Sequence, residues 1–370
     1  EETDTGFTVS YSAVARDEAQ EFRYHARIQG KANGHIAFHS SGEATSDFLT
    51  NRTGFVVLHP IAGVAGHPVR IEHVDGGIVD GRFPGLIDPV QPMMDLRELT
   101  HEAAPGLRAT CRMEGDTFEM EDQRNWTDAS YKTYVRPLAL PWPYTLKAGA
   151  RLEQSITLTI SGKASAHAAG RSGVSVALGE PLAKAPDIGV GLDLGDAKAT
   201  REVLSSVREL RPRHLICYFD PRHGRAPEEL QDAVAIAKSL GATPWLEAVV
   251  TEVADFEREV RSLAAVVSSM GSPFDVVMLS PAADLKCTLP GSVWPPAAPA
   301  DDLFRIAREA FPAVRLGGGM FSYFTELNRK RPPLQRLDFV TFTTSALVHA
   351  GDDVSVMEGL ESLPAIAASA

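Results

Sequence analysis

The sequence lacks a cysteine framework. Its 370 residues include three cysteines, Cys111, Cys217 and Cys287, which lie far apart and form no Cys-x-x-Cys motif. This number and spacing argue against a disulfide-stapled fold and against a zinc site built on cysteine pairs. Buried and reduced thiols are expected instead, and they are typical of a cytoplasmic protein.

Long hydrophobic runs and an excess of positive charge are also missing. No apolar segment approaches the roughly 20 residues that cross a bilayer, so we expect no membrane association. The formal net charge is -12, and no stripe of lysine and arginine offsets it locally. We therefore expect no binding to nucleic acid. The hydrophobic fraction of 44% predicts a globular protein, and the length predicts two domains.

The first part of the chain consists of short β-patterned runs separated by turns. Apolar and polar residues alternate in these runs, and Asn-Gly, Gly-Gly and Glu-Gly pairs stand between several of them. This pattern is typical of an antiparallel β-sandwich, which we predict for residues 1–180. Four of the runs are GFTVSYSAVA, EFRYHARIQG, LRATCRMEG and RLEQSITLTISG.

The second part, residues 181–370, alternates short apolar strands with helical stretches. The strand HLICYFDPR, for example, precedes the helix PEELQDAVAIAKSLG. Near-continuous apolar strands in such βα repeats indicate a parallel sheet covered by helices, and a TIM-like (β/α) barrel fits best. Six strands are recognisable where a barrel has eight. We therefore expect an incomplete barrel and a chain that is a piece of a longer protein.

Several cofactor and catalytic motifs are absent. The first strand of the second part, GVGLDLGD, lacks the G-x-G-x-x-G spacing, which argues against the alternative fold, a six-stranded doubly wound sheet. It also lacks the His-x-His pair of amidohydrolase-type barrels, and the five histidines between residues 35 and 73 have the spacing of strand and surface residues. No G-x-S-x-G elbow occurs, and Ser322 has no flanking glycines. We predict no metal, no cofactor and no serine nucleophile.

Polar side chains stand after each predicted strand of the second part, or within it in the case of the third. In a (β/α) barrel the carboxyl ends of the strands surround the active site, so such a ring predicts an active-site mouth. In chain order its members are Asp193, Asp220, Arg222, Glu247, Asp284, Lys286, Glu326, Asn328 and His349. Structural alternatives stay open, because Asp220 before Pro221 also suits a turn and Asp284 could pair with Lys286.

Three of these residues are candidate catalytic groups. Glu326 leads, since it follows the aromatic run MFSYF, which would desolvate it and raise its pKa toward the working range of a general base. Glu247 is second, and an ion pair inside the barrel is its structural alternative. His349, in ALVHAGDD, is predicted to follow the sixth strand.

One segment of the first part, EMEDQRNWTDASYKTY, carries an unusual amount of charge for a β region. Buried charge costs free energy unless it is paired. We therefore predict a polar network of Asp122, Arg124, Asn125 and Asp128 that is anchored by Trp126 where the sandwich meets the barrel. An exposed turn with solvated ion pairs is the alternative.

Longer stretches resemble a known family. FEMEDQRNWTDASYKTYVRPLALPWPY and GGGMFSYFTELNRKRPP, the second followed by LDFVTFTTSALVHAGDDVSVMEGLESL, are similar to the bacterial D-apionate lactonase family of apiose catabolism. The resemblance runs over most of the chain. It implies a β-sandwich, a TIM-like barrel and a further C-terminal β-domain. It also implies hydrolysis of D-apionolactone to D-apionate, with a small sugar lactone as the substrate.

Lactone hydrolysis needs a general base, donors for the developing oxyanion and an acid for the departing hydroxyl. We predict Glu326 or Glu247 as the base and His349 or Asp220 as the acid. Lys286, Asn328 or Arg329 are the predicted oxyanion donors. Further predicted substrate contacts are Asp220, Asp284, Arg124 and Asn125.

Two other functions stay open. A glycoside hydrolase is one, because a sandwich joined to a barrel with paired carboxylates is also found there. Against it, the fourth strand ends in SPAADLK rather than in the Asn-Glu pair usual for the large barrel clan. The other is a non-catalytic sugar-binding module.

Overall fold

The computed structural model describes residues 2–163, 177–181, 183–345 and 348–370. These residues fall into two compact units. The first unit spans Glu1–Val174 and Ser345–Ala370, and the second spans Ser175–Thr344. The division near residue 175 lies close to the predicted boundary at 180/181, whereas the assignment of Ser345–Ala370 to the first unit was not anticipated.

The first unit is built from antiparallel strands. They are β1 (Glu2–Thr3), β2 (Gly6–Arg16), β3 (Glu21–Lys31), β4 (His35–Ala44), β5 (Phe48–Thr50), β6 (Val56–Pro60), β7 (Pro68–His73), β8 (Ile78–Arg82), β9 (Met93–Ala104), β10 (Leu107–Glu114), β11 (Phe118–Asp122), β12 (Ser130–Tyr134), β13 (Tyr144–Leu146) and β14 (Arg151–Gly162). The main sheet runs β1-β2-β3-β4-β14-β10-β9-β11-β12-β6, with β7 beside β9 and β8 beside β7, and β5 pairs with β13.

Strand alternation builds the core of this unit. In β10 the alternate residues Ala109, Cys111 and Met113 are buried, and Cys111 and Met113 pack with Leu96 and Leu99 of β9. The predicted antiparallel β-domain is confirmed. Its physical basis is the period of two, which places every second side chain on the same face of a strand.

The C-terminal segment completes the first unit with two short helices, α7 (Asp353–Gly359) and α8 (Leu363–Ser369). The Ser362 hydroxyl, between them, donates a hydrogen bond to the Thr127 carbonyl at 2.8 Å. The backbone N–H of Ile87 donates to the Ser369 hydroxyl at 2.9 Å. These contacts tie the C-terminal segment to the turn after β11 and to the loop between β8 and β9.

The second unit is a parallel sheet with helices. Its strands are β15 (Gly189–Asp193), β16 (His214–Phe219), β17 (Thr243–Val250), β18 (Val276–Pro281), β19 (Arg315–Gly319) and β20 (Phe339–Thr341). Its helices are α1 (Ala197–Glu202), α2 (Leu204–Glu209), α3 (Leu230–Leu240), α4 (Phe256–Ser269), α5 (Ala300–Ala310) and α6 (Phe324–Arg329). The strands pair in chain order, and β16 and β17 are parallel, as predicted.

One face of this sheet packs against the helices. Leu246 and Ala248 of β17 lie in the helix-packed core, so Trp245 and Glu247 project to the opposite face. The rings of Trp245 and Phe339 are 6.4 Å apart there, although their strands would lie about 14 Å apart in a flat sheet. This face is therefore concave. In the described residues β15 and β20 remain edge strands, so the barrel is not closed.

Within the described part of the chain, no helix has both the length and the apolar character needed to cross a membrane.

Candidate active site

Glu247 projects from the middle of β17 onto the concave face. Its cross-strand neighbour on β16 is Tyr218. Burial raises the pKa of the Glu247 carboxyl to about 7, because removing water penalises the charged form. A carboxyl that titrates near neutral pH can accept a proton from water and release it again, which is what a general base requires.

An ion pair stands at the carboxyl end of β16. Asp220 caps a short 3-10 helix by accepting the backbone N–H of Arg222 at 3.0 Å. The guanidinium of Arg222 also binds both carboxylate oxygens, with Nε to Oδ1 at 3.0 Å and Nη2 to Oδ2 at 2.6 Å. These hydrogen bonds hold the pKa of Asp220 below its usual value. Asp220 therefore stays ionised and suits the predicted turn better than the predicted role of proton donor.

Two residues that were not predicted extend this pair. The Tyr218 hydroxyl donates to Asp220 Oδ2 at 3.2 Å, and burial raises the pKa of Tyr218 to about 12, so it stays a donor. His223 lies between two carboxylates, with Nδ1 at 3.5 Å from Asp193 Oδ2 and Nε2 at 3.9 Å from Asp220 Oδ2. Strand periodicity could have found Tyr218, which shares the face of Glu247. His223 depends on the turn after Asp220 and gave no signal.

A second polar cluster lies in the loops after β18 and β19. Lys330 Nζ is 2.6 Å from Asp284 Oδ1 and 5.1 Å from the centre of the Trp294 ring. The Ser322 hydroxyl donates to the Asp284 carbonyl at 3.0 Å. The predicted alternative for Asp284, a pair with Lys286, is therefore wrong: the partner is Lys330, which the end of α6 brings to the loop.

Glu326 lies in the first turn of α6 rather than on an open strand end. It is 0% exposed, because the segment after β19 turns into a helix whose inner face is buried. Its Oε2 accepts a hydrogen bond from the Ser322 hydroxyl at 3.4 Å. Its Oε1 has no hydrogen-bond partner among the described residues. The expectation that Glu326 opens onto the barrel mouth is corrected by this burial.

The remaining predicted residues of the second unit have different surroundings. Lys286 is exposed, directly after a short 3-10 helix. Asn328 accepts a hydrogen bond from Arg331 at 2.8 Å through Oδ1, and Arg329 Nη1 donates to the Thr288 carbonyl at 2.9 Å. These contacts hold α6 to its neighbouring loops and compete with a role for Asn328 and Arg329 as oxyanion donors.

Arg124 and Asn125, predicted as substrate contacts, are buried inside the first unit. Arg124 is 1% exposed. Its Nε and Nη2 donate to Asp122 Oδ1 and Oδ2 at 2.8 and 2.7 Å, and Nη1 and Nη2 also donate to backbone carbonyls of residues 84–86. Asn125 Nδ2 donates to the carbonyls of Asp88 and Asp122. These bonds form the predicted network among Asp122, Arg124 and Asn125, and they engage the side chains of both candidates inside the first unit.

The other members of the predicted network have separate partners. Trp126 Nε1 donates to Glu121 Oε1 at 2.9 Å. The carboxylate of Asp128 binds the imidazole of His349. His349, predicted at the end of the sixth strand, thus lies in the first unit, because the chain leaves the parallel sheet after Thr341.

No group of three or more histidine, cysteine, aspartate or glutamate side chains in the described ranges is arranged to hold a metal ion.

Two solved structures can be compared with the chain. The GalM/aldose epimerase homologue from C. elegans is 10% identical and aligns over 44% of this chain and 67% of its own, with a TM-score of 0.29. An alpha-N-acetylgalactosaminidase from Bifidobacterium bifidum is 9% identical and aligns over 95% of this chain and 72% of its own, with a TM-score of 0.28. Similarities this weak carry no argument about fold or function.

Sequence comparisons are far stronger. A curated D-apionate lactonase from Brucella anthropi is 46% identical over 373 aligned residues, which cover 100% of this chain and 61% of the relative. The chain thus spans about three fifths of the length of the curated relative that it matches. The family model "D-apionate lactonase, N-terminal domain" matches residues 1–163. The model "D-apionate lactonase, TIM barrel domain" matches residues 188–370. The chain therefore belongs to the D-apionate lactonase family.

Proposed function

We propose that the full-length protein containing this sequence hydrolyses a sugar-acid lactone, D-apionolactone to D-apionate, in carbohydrate catabolism. It would then be a carboxylic ester hydrolase. The family membership and the 46% identical relative support this proposal. We also propose a cytoplasmic location, in keeping with the free thiols of the three cysteines.

The observation that carries the chemistry is the position and pKa of Glu247. Its carboxylate, on the concave face, takes a proton from a water molecule, and the water oxygen attacks the lactone carbonyl carbon. Because burial raises the pKa of Glu247 to about 7, the group is ionised often enough to accept a proton and basic enough to pull it from water. Tyr218, its cross-strand neighbour, donates a hydrogen bond to Asp220.

Arg222 is the proposed donor to the developing oxyanion. Its Nε and Nη2 are engaged by Asp220, whereas Nη1 has no acceptor in the described part of the chain, and the side chain is 44% exposed. The Asp220 pair fixes the plane of the guanidinium. A pre-positioned positive charge stabilises the tetrahedral intermediate without reorganising when the reaction occurs.

His223 is the proposed proton donor to the leaving group. When the intermediate collapses, the bond between the carbonyl carbon and the ring oxygen breaks, and this oxygen takes a proton to become the free hydroxyl. Asp193 and Asp220 flank the His223 ring, with carboxylate oxygens 3.5 and 3.9 Å from its two nitrogens. Asp284 and Lys286, in the loop after β18, are the proposed further substrate contacts.

The test is hydrolysis of D-apionolactone and a panel of aldonolactones by the full-length protein, followed by acid release in a pH-stat. Glu247→Gln is expected to lower kcat about 10²- to 10⁴-fold, since glutamine cannot accept the proton. In the unmodified protein kcat should rise with pH through about 7, where Glu247 ionises. Glu326→Gln is the matched control and should keep near-normal turnover, because that carboxyl is enclosed.

Two results would contradict the proposal. Loss of turnover in Glu326→Gln with normal turnover in Glu247→Gln would make Glu326 the base, as the sequence predicts. Release of reducing sugar from aryl glycosides, with no hydrolysis of any lactone, would replace lactonase by glycoside hydrolase.

A further inference from the structure

The first unit contains a cavity of ≈ 430 Å³ over one face of the strands β2, β3, β4 and β14. Four residues form a cross-strand row on this face: Tyr11 pairs with Ala26, Ala26 with Ser40, and Ser40 with Gln154. The two central residues are small, so the sheet leaves a depression between larger neighbours. A volume of this size lies in the range of small-molecule sites.

Aromatic rings form the walls of this cavity. Phe22 and Phe48 have ring centres 5.6 Å apart, and Phe38 and Phe55 have centres 4.9 Å apart. At the open side Tyr11 and Tyr24 meet edge to face at 6.1 Å, and Tyr11 is 40% exposed. Aromatic faces are electron-rich and attract the weakly positive C–H groups of a saturated ring.

Polar groups in the cavity remain available to a ligand. The hydroxyls of Tyr11, Tyr24 and Ser40 make no hydrogen bond within the described residues. The amide of Gln154, in contrast, is engaged, because its Oε1 accepts from the Phe55 N–H at 3.1 Å and its Nε2 donates to the Thr53 carbonyl at 3.4 Å. Gln154 thus stabilises the segment that lines the cavity, while the three hydroxyls can form hydrogen bonds with hydroxyl groups of a ligand.

The charge in the cavity has one sign. Arg52 is the charged residue of the lining, which includes no aspartate or glutamate among the described residues. Its guanidinium carbon lies 5.0 Å from the centre of the Tyr134 ring, and no carboxylate in the described ranges pairs with it. In a protein of net charge -12, an arginine without an acidic partner beside an aromatic cavity complements an anion.

We propose that this cavity is a second, non-catalytic binding site for a sugar-acid anion. The carboxylate of the ligand pairs with Arg52, its hydroxyls meet Tyr11, Tyr24 and Ser40, and its carbon chain lies on the aromatic rings. A neutral sugar would leave Arg52 unpaired, and an apolar ligand would leave the hydroxyls unpaired. The ligand class follows from the cavity alone and coincides with the product class of the proposed reaction.

Isothermal titration calorimetry of the 370-residue chain with D-gluconate tests this site, with D-glucose as the neutral control. Saturable gluconate binding is expected, with glucose at least about tenfold weaker, because a hydrogen bond to a charged group contributes more than a neutral one. Arg52→Ala should weaken gluconate binding at least about tenfold. Arg27→Ala on the same sheet is the matched control, because Arg27 is exposed and does not line the cavity. This variant should bind gluconate as tightly as the unmodified chain does.

Equal affinity for gluconate and glucose would overturn the site as an anion site, and this comparison needs no variant. Absence of saturable binding in the millimolar range, or unchanged binding in Arg52→Ala, would overturn it as well. The lactonase proposal can fail independently, since it is tested by turnover and by Glu247→Gln, whereas this site is tested by equilibrium binding.

Discussion

The same local motif occurs in each unit, with different consequences. Asp122 and Arg124 in the first unit, and Asp220 and Arg222 in the second, are both Asp-x-Arg at the end of a strand. In both, the aspartate caps a 3-10 helix by accepting the backbone N–H of the arginine. In both, the guanidinium returns to the same carboxylate, with Nη2 to Oδ2 at 2.7 Å and 2.6 Å respectively.

The difference lies in what else each guanidinium contacts. Arg124 also donates to carbonyls of residues 84–86 and is 1% exposed, so its donors are used inside the fold. Arg222 is 44% exposed and keeps its Nη1 unused within the described residues. The same motif is thus a buried structural contact in the first unit and a partly exposed ion pair in the second. The difference depends on whether the remaining guanidinium N–H groups bind backbone carbonyls.

The largest expected effect is on stability, at the buried Asp122–Arg124 pair. Arg124→Met should lower the free energy of unfolding by about 3–5 kcal/mol, because it leaves the Asp122 carboxylate buried without a compensating charge. Arg222→Met should lower it by less, because solvent screens that half-exposed guanidinium and the buried Asp220 carboxylate keeps its hydrogen bonds from the Tyr218 hydroxyl and the backbone N–H of residue 222. Chemical denaturation of both variants measures the contrast. Equal losses in the free energy of unfolding would show that the two Asp–Arg pairs stabilise the protein equally.

The second effect is on turnover, at the partly exposed Asp220–Arg222 pair. Arg222→Met in the full-length protein should lower kcat/KM for the lactone about 10²-fold, in line with the removal of one oxyanion donor. Arg225→Met is the matched control, because Arg225 is nearby in sequence, 41% exposed and paired with Glu229 at 3.2 Å. Initial rates across substrate concentrations test the pair. A similar loss in both variants would remove Arg222 from the site.

Much of the second unit could be predicted from the sequence, because its strands are encoded locally. Apolar runs and the period of two suffice to predict the parallel pairing of β16 with β17 and the position of Glu247. The exposure of Arg124 could not be predicted, since its acceptors lie in residues 84–86, far away along the chain. The same limit applies to Glu326 and His349. A helical turn encloses the first, and packing on Asp128 decides the position of the second.

The smallest expected effect is a pH dependence of the stability that the Asp220–Arg222 pair contributes. Hydrogen bonds from Arg222 lower the pKa of Asp220, so the folded state favours the ionised carboxylate more than the unfolded state does. This pair therefore adds stability at pH values above the unfolded pKa of about 3.9, and the contribution is lost as the pH falls through the lower folded value. The stability difference between the unmodified protein and Arg222→Met should accordingly shrink at acid pH.

Urea unfolding of both proteins at a series of pH values measures this difference, with Arg225→Met as the control for general acid effects. A difference that stays constant with pH would show that Asp220 and Arg222 are not electrostatically coupled, and that this copy of the motif is held by the backbone cap alone.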